Sequence, residues 1–241
     1  TMNNINCKPK IALIGYGKMG KEIEKVAKDT GFVITDIFEI DNPIIPEKNY
    51  EFDVAIEFTN PESTIENIIK ISRIKKNIVV GTTGWYEKID LVKKIVEDSG
   101  IGLIYSPNFS VGIQIILKLI EDVSNILNQI NNYDIIIEET HHRHKKDVPS
   151  GTALKIAEKI LQNFKAKEKI VTNPKDLDSK SIQIASMRLG EVYGIHKVIL
   201  DSEFDTLEFT HSAKTRKGFA IGALLAAEQI YGKKGFFEFS L

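Results

Sequence analysis

The chain has 241 residues, enough for one large or two small domains and a sizeable core. Hydrophobic residues make up 42% and charged residues 27%, and the formal net charge is −1, so no global field attracts nucleic acid or an anionic membrane. A single cysteine excludes an internal disulfide framework and fits a reducing compartment. No apolar run approaches the ~18 residues that span a bilayer. The N-terminal TMNNINCKPK lacks the apolar centre of a secretory leader. A cytoplasmic protein with no membrane or nucleic-acid partner is expected.

Lys10 to Gly20 reads KIALIGYGKMG. Ile11 to Ile14 form the short apolar run of a buried parallel strand. Gly15, Gly17 and Gly20 follow, and Ile23, Val26 and Ala27 then recur at helical spacing until Gly31 ends the helix. A second strand, Phe32 to Phe38, stops at Glu39. Strand, glycine turn, helix and a distal acid make the dinucleotide fingerprint. Gly15 permits the turn, Gly17 lets backbone approach a pyrophosphate, and Gly20 lets the helix pack closely. Glu39 would accept hydrogen bonds from the adenosine ribose. No arginine follows it to hold a 2′-phosphate, so NADH is the expected cofactor in preference to NADPH, which remains possible.

The alternation continues with a strand over Phe52–Phe58 and a helix from Pro61 to Arg73. A strand over Ile78–Val80 ends at Gly81–Gly84, a helix runs from Glu87 to Ser99, and a strand over Ile101–Tyr105 ends at Ser106–Phe109. In a doubly wound sheet ligands bind beyond the strand C-terminal ends. Thr59, Gly81–Thr83 and Ser106–Phe109 are therefore expected around the nicotinamide half of the cofactor.

After Phe109 the pattern changes. Ile113, Ile116, Leu117, Ile120, Val123, Leu127 and Ile130 mark a long amphipathic helix. The strand Asp134–Thr140 delivers EETHHRHKKDVPSGTALKIAEKI, in which three of the five histidines (His141, His142, His144) lie among Arg143, Lys145 and Lys146. This cationic, proton-active loop runs into the N-terminus of a helix over Ser150–Phe164. Free N–H groups, the helix dipole and cationic side chains together suit a carboxylate or phosphate, and histidine adds a proton donor. Metal binding is not expected, because adjacent cations repel a divalent ion and neighbouring histidines on a strand face opposite ways. Lys165–Ser179 reads as a loop. Ser181–Leu189, Tyr193–Asp201 and Thr206–Ser212 read as an antiparallel meander. A final helix covers Phe219–Tyr231. The fold class is thus α/β: a Rossmann-type doubly wound parallel sheet, residues 1–109 plus 215–241, with an inserted α+β mixed-sheet domain over 110–214.

GYGKMG, FTNPE, VVGTTGW, SPNFSVG, EETHHRHKKDVPSGTAL, RLGEVYGIH and FTHSAKTRKGFAIGAL occur in this order over nearly the whole chain. Together they closely resemble the signature of the 4-hydroxy-tetrahydrodipicolinate (dihydrodipicolinate) reductase family of the diaminopimelate route to lysine. The chain departs from the family pattern in a glycine turn one residue shorter, in Lys146 where an apolar residue is frequent, and in a short Lys165–Ser179 loop. The resemblance implies a two-domain subunit, a homotetramer joined through the sheets of the substrate domains, and nicotinamide-dependent reduction of a small ring dicarboxylate. It matches Gly15, Tyr16, Gly17, Lys18, Met19, Gly20, Glu39, Gly81, Thr82, Thr83, Ser106, Pro107, Asn108 and Phe109 to cofactor-contacting segments. It matches His141 to the proton donor, Lys145 to a second catalytic donor, and His142, Gly151 and Thr152 to substrate-binding positions. The competing expectations are a different two-domain dehydrogenase, acting on an amino acid or polyol, and a non-catalytic NAD(H) sensor.

Overall fold

The computed structural model describes residues 8–130 and 132–241. Cys7 and most of the stretch read as lacking a leader lie outside the described residues. The chain forms two compact units, one running to Ser110 and resuming at Arg216–Ser240, the other Val111–Thr215.

The first unit is built on β1 (Ile11–Ile14), α1 (Lys18–Thr30), β2 (Ile34–Phe38), β3 (Val54–Glu57), α2 (Pro61–Arg73), β4 (Asn77–Val80), α3 (Ile89–Ser99), β5 (Gly102–Tyr105), α6 (Lys217–Ile230) and β11 (Gly235–Glu238). Among the described residues its strands form one parallel sheet in the order β11-β5-β4-β3-β1-β2. The central strands β1, β3, β4 and β5 are largely buried and apolar, as helices on both sides require. Ile11 and Leu13 join Ile23, Val26 and Ala27 of α1 and Ala223 and Leu224 of α6 in one core. Ala12 and Ile14, one residue out of phase, join Ile68 and Ile71 of α2 and Val92 and Val96 of α3 in the other. The chain leaves β1 towards β2 and returns to β3 on the opposite side, so the order reverses between β1 and β3. Such a switch point opens a crevice at the strand C-terminal ends.

The second unit contains α4 (Val111–Ile130), β6 (Asp134–His141), α5 (Gly151–Asn163), β7 (Lys169–Val171), β8 (Ser181–Arg188), β9 (Ile195–Asp201) and β10 (Thr206–Ser212). Its sheet has the order β10-β9-β6-β8-β7. Ile135, Ile137, Ile182, Ile184, Val198 and Leu200 form its apolar face, covered by Ile113, Ile116 and Ile120 of α4 and Ile156 and Ile160 of α5.

Two expectations need correction, and one strand was not foreseen. The last three strands are not one meander: β9 and β10 pair antiparallel, but β6 lies between β9 and β8. The α5 crossover makes β6 and β8 parallel, as a helical crossover does. The short β8–β9 connection must then pass over the end of β6, and it is tied there by Leu189 N–H donating to His141 C=O (2.8 Å) and Arg143 N–H to Gly190 C=O (3.1 Å). Within the supposed loop Lys165–Ser179, β7 pairs with β8. Beyond the final helix, β11 adds an edge strand beside β5, and Phe239 just after it is buried in the core shared with Phe109.

Candidate functional site

In the first unit the glycine turn does what its spacing predicts. Gly15 has φ +90°, and a Cβ there would lie 2.4 Å from Phe58 C=O. A Cβ at Gly20 would lie 2.3 Å from Gly15 C=O, so only glycine lets α1 start this close to the turn. Around Gly17 there is open space, and as N-cap of α1 it has no side-chain capping bond. The first-turn N–H groups of Lys18, Met19 and Gly20 therefore lack a side-chain cap and face the positive end of the helix dipole. Glu39 stands exposed just past β2. This constellation fits a dinucleotide: bare backbone for the pyrophosphate and an accessible carboxylate for ribose hydroxyls. Tyr16 turns its hydroxyl to Glu24, a bond that holds the Glu24 carboxyl below its ordinary pKa and raises the phenol's.

The other strand ends carry more structural work than was expected of them. Thr82 Oγ1 accepts Thr59 N–H (2.8 Å), and Thr82 C=O accepts the Trp85 indole N–H (2.8 Å). Ser106 Oγ is occupied by Asn108 backbone atoms. Phe109 is a core side chain packed on Phe58 and Phe239, and its backbone carbonyl packs against Gly222 of α6. Gly81 is needed because a Cβ would meet the Phe58 ring at 2.1 Å. Pro107 and Thr83 lie in the same loops. Sequence reasoning missed Glu57, fully buried at the end of β3. It accepts from Thr59 N–H (3.1 Å) and the Thr59 hydroxyl, and burial raises its pKa.

In the second unit the histidine stretch folds at the end of β6. The strand's alternation puts Ile135, Ile137, Glu139 and His141 on its buried face. Glu139, 0% exposed, is the hub. Its Oε1 accepts Ser150 N–H (3.0 Å) and the Arg188 guanidinium (3.3 Å), while its Oε2 stands 2.7 Å from His141 Nδ1. The two atoms are in close contact, although their alignment falls short of a directional hydrogen bond. Burial alone would raise the Glu139 pKa. Donors on His141, Ser150 and Ser186 outweigh it and hold the carboxyl well below its usual range.

His196 on β9 packs edge-on against His141, ring centroids 5.0 Å apart, with its Nε2 3.1 Å from Ser150 Oγ. Burial, seconded by the positive potential of His141, pushes its pKa down to about 3. Ser150 Oγ already accepts Ala153 N–H as the N-cap of α5, so its proton is free to go to a neutral His196. Lys145 Nζ pairs with Asp147 Oδ1 (2.9 Å), and the same carboxylate takes Gly151 N–H. Desolvation opposes the Asp147 charge, but these donors lower its pKa on balance. His142 is half-buried beside the exposed His144. Thr152 follows Gly151 in the first turn of α5.

The structure thus gathers His141, Lys145 and the α5 N-terminus, and adds Glu139, Ser150, Arg188 and His196, which sequence reasoning missed. Glu139 was legible from the alternation of β6. Arg188 and His196 reach the site only through strand pairing. Glu139, His141 and His196 have potential ligand atoms within 4.8 Å of one another, a metal-like donor set, with the Arg188 guanidinium already on the carboxylate.

Family models cover both units: dihydrodipicolinate reductase N-terminus over residues 9–109 and C-terminus over residues 112–240. The chain belongs to the dihydrodipicolinate reductase family. A protein of Christiangramia forsetii named 4-hydroxy-tetrahydrodipicolinate reductase is 37% identical over 94% of both chains. One of Methanopyrus kandleri with the same name is 36% identical over 84% of this chain and 76% of its own. Among solved structures, dipicolinate-bound dihydrodipicolinate reductase from Paenisporosarcina sp. TG-14 superposes with a TM-score of 0.76 at 22% identity, over 96% of this chain and 98% of its own. A myo-inositol dehydrogenase of Corynebacterium glutamicum shares the fold (TM-score 0.60, 14% identity, 95% and 90% covered). Fold alone therefore does not choose between reductase and polyol dehydrogenase; family membership does. As a dihydrodipicolinate reductase family member the chain is an NAD(P)H-dependent oxidoreductase of the diaminopimelate pathway. Among the described residues no helix is long and apolar enough to cross a membrane.

Proposed function

We propose that the chain reduces 4-hydroxy-tetrahydrodipicolinate to tetrahydrodipicolinate, with His141 as proton donor and Lys145 as second donor. The observation that carries this reading is the convergence of a buried histidine, a lysine turn and a helix N-terminus at one end of the second unit's sheet, in a chain whose relatives carry that activity in their names. When bound, the nicotinamide supplies a hydride to ring C4. The protein's part is to hold two carboxylates and deliver a proton to the neighbouring carbon, while the hydrated substrate sheds its hydroxyl as water. His141 is buried at the end of β6 and backed by a carboxylate, the arrangement of a general acid. The Lys145 ammonium and the Gly151 and Thr152 N–H groups suit a substrate carboxylate, with His142 beside them. Asp147, which now holds Lys145 and Gly151, must yield to it.

Gly15–Gly20, Glu39, Gly81–Thr83 and Ser106–Phe109 hold the cofactor, NADH in preference to NADPH. The first unit is the dinucleotide-binding domain. The second is the substrate-binding and tetramerisation domain of a cytoplasmic homotetramer. No metal enters the scheme. The test is oxidation of NADH in the presence of the dicarboxylate, generated in place by an aldol-type synthase. Dicarboxylate-dependent turnover is expected; binding of NADH without turnover would leave a sensor.

A further inference from the structure

Glu139 is the most heavily bound carboxylate at this site, and the proposed reaction leaves open what it does for His141. It is fully buried, fixed by Ser150 N–H and Arg188 on Oε1, and turns its remaining oxygen to His141 Nδ1 at 2.7 Å. An ionised carboxylate only accepts hydrogen bonds. The nitrogen facing it is therefore the one that keeps its hydrogen, whichever charge state the ring adopts. The β8–β9 connection passes the other edge of the ring with a glycine, which adds no side chain there. A Cβ at Gly194, where φ is +155°, would lie 2.9 Å from His141 Nε2 and 3.2 Å from Cδ2. His196 closes the remaining side with an edge-on ring and is itself tethered to Ser150.

We infer that Glu139 is a positioning residue that fixes His141 in the Nδ1–H tautomer, so that Nε2, kept open by Gly194, is the atom that delivers the proton. This rests on the reading of His141 as the proton donor. The imidazolium gives up its Nε2 proton to the substrate carbon, and the ring is left neutral with its Nδ1 hydrogen kept on the side of Glu139. Solvent water returns the proton to Nε2 for the next turnover. The ring thus needs no flip or tautomer exchange between turnovers.

The experiment combines nitrogen-15 NMR of the imidazoles with kinetics on the full-length protein, His141 being assigned by its absence in His141→Gln. In the wild type, neutral His141 should show the Nδ1–H tautomer. In Glu139→Gln, whose amide can donate to Nδ1, the Nε2–H form should gain population. Its kcat should fall on the order of 10²-fold, with substrate KM within a few-fold. A wild-type His141 that is mainly Nε2–H would overturn the inference even if Glu139→Gln does not fold. So would a folded Glu139→Gln with wild-type kcat and tautomer. Wild-type turnover in His141→Gln would instead remove the underlying reading of His141.

Discussion

His141→Gln should lower kcat by about 10²–10⁴-fold and leave substrate KM within a few-fold, because a general acid acts mainly in the transition state. Steady-state kinetics decide it, and an unchanged kcat would exclude His141 from the proton transfer. His196 supports a prediction in acid. Its folded pKa is about 3, whereas in the unfolded chain it titrates near 6.5. Between these values the unfolded state binds a proton that the folded state refuses, so stability falls as pH drops below ~6.5. The loss at pH 5 relative to pH 7 should be about 2 kcal/mol. Glu139, depressed when folded, adds a loss of the same sign at lower pH, as its carboxylate is finally protonated. Urea unfolding at pH 7 and pH 5 should show His196→Gln losing less than the wild type; equal losses would contradict the burial argument. His141, Lys145 and the Ser150–Gly151 helix start were all legible in the chain, because strand, loop and helix are contiguous there. Arg188 and His196 were not, since β8 and β9 reach Glu139 only by flanking β6.

The β1–α1 turn was the most legible element, for Gly15 and Gly20 each answer to a steric demand of their own. Gly20→Ala would drive a methyl into Gly15 C=O, a backbone atom that cannot step aside. It should cost about 1–3 kcal/mol in urea unfolding and raise the KM for NADH; a stable variant with wild-type KM would show that α1 does not depend on that approach. β7 and β11 were missed for physical reasons. Each is three or four residues long, lies at a sheet edge and contains little alternation to read. The β8–β9 connection looked like a hairpin because it is short, yet it spans a third strand. The structural weight of the C-terminal segment is testable at Phe239, buried against Phe109. Phe239→Ala should destabilise the protein by about 3–5 kcal/mol, and a loss under 1 kcal/mol would mean that this segment contributes little to the first unit's core.

As a whole the chain divides the work between two cores: a doubly wound parallel sheet with a bare glycine turn, and a mixed sheet ending in a buried Glu–His pair. The broad architecture follows from sequence periodicity, since runs apolar on both faces require a covered parallel sheet and alternating runs a half-covered one. Strand order in the second sheet does not, because long-range pairing leaves no local trace. The proposed tetramer predicts a light-scattering mass near four times that of one chain, and a monomer at assay concentration would refute it. The exposed Glu39 predicts a higher kcat/KM with NADH than with NADPH; parity would dismiss that preference and leave the reaction standing. The most direct test of the central claim is the loss of reduced-nicotinamide absorbance with the dicarboxylate produced in place by its synthase. Fast oxidation that requires the dicarboxylate and collapses in His141→Gln is the predicted result. Oxidation that ignores the dicarboxylate, or NADH bound but never consumed, would contradict the assignment of the second unit to substrate reduction.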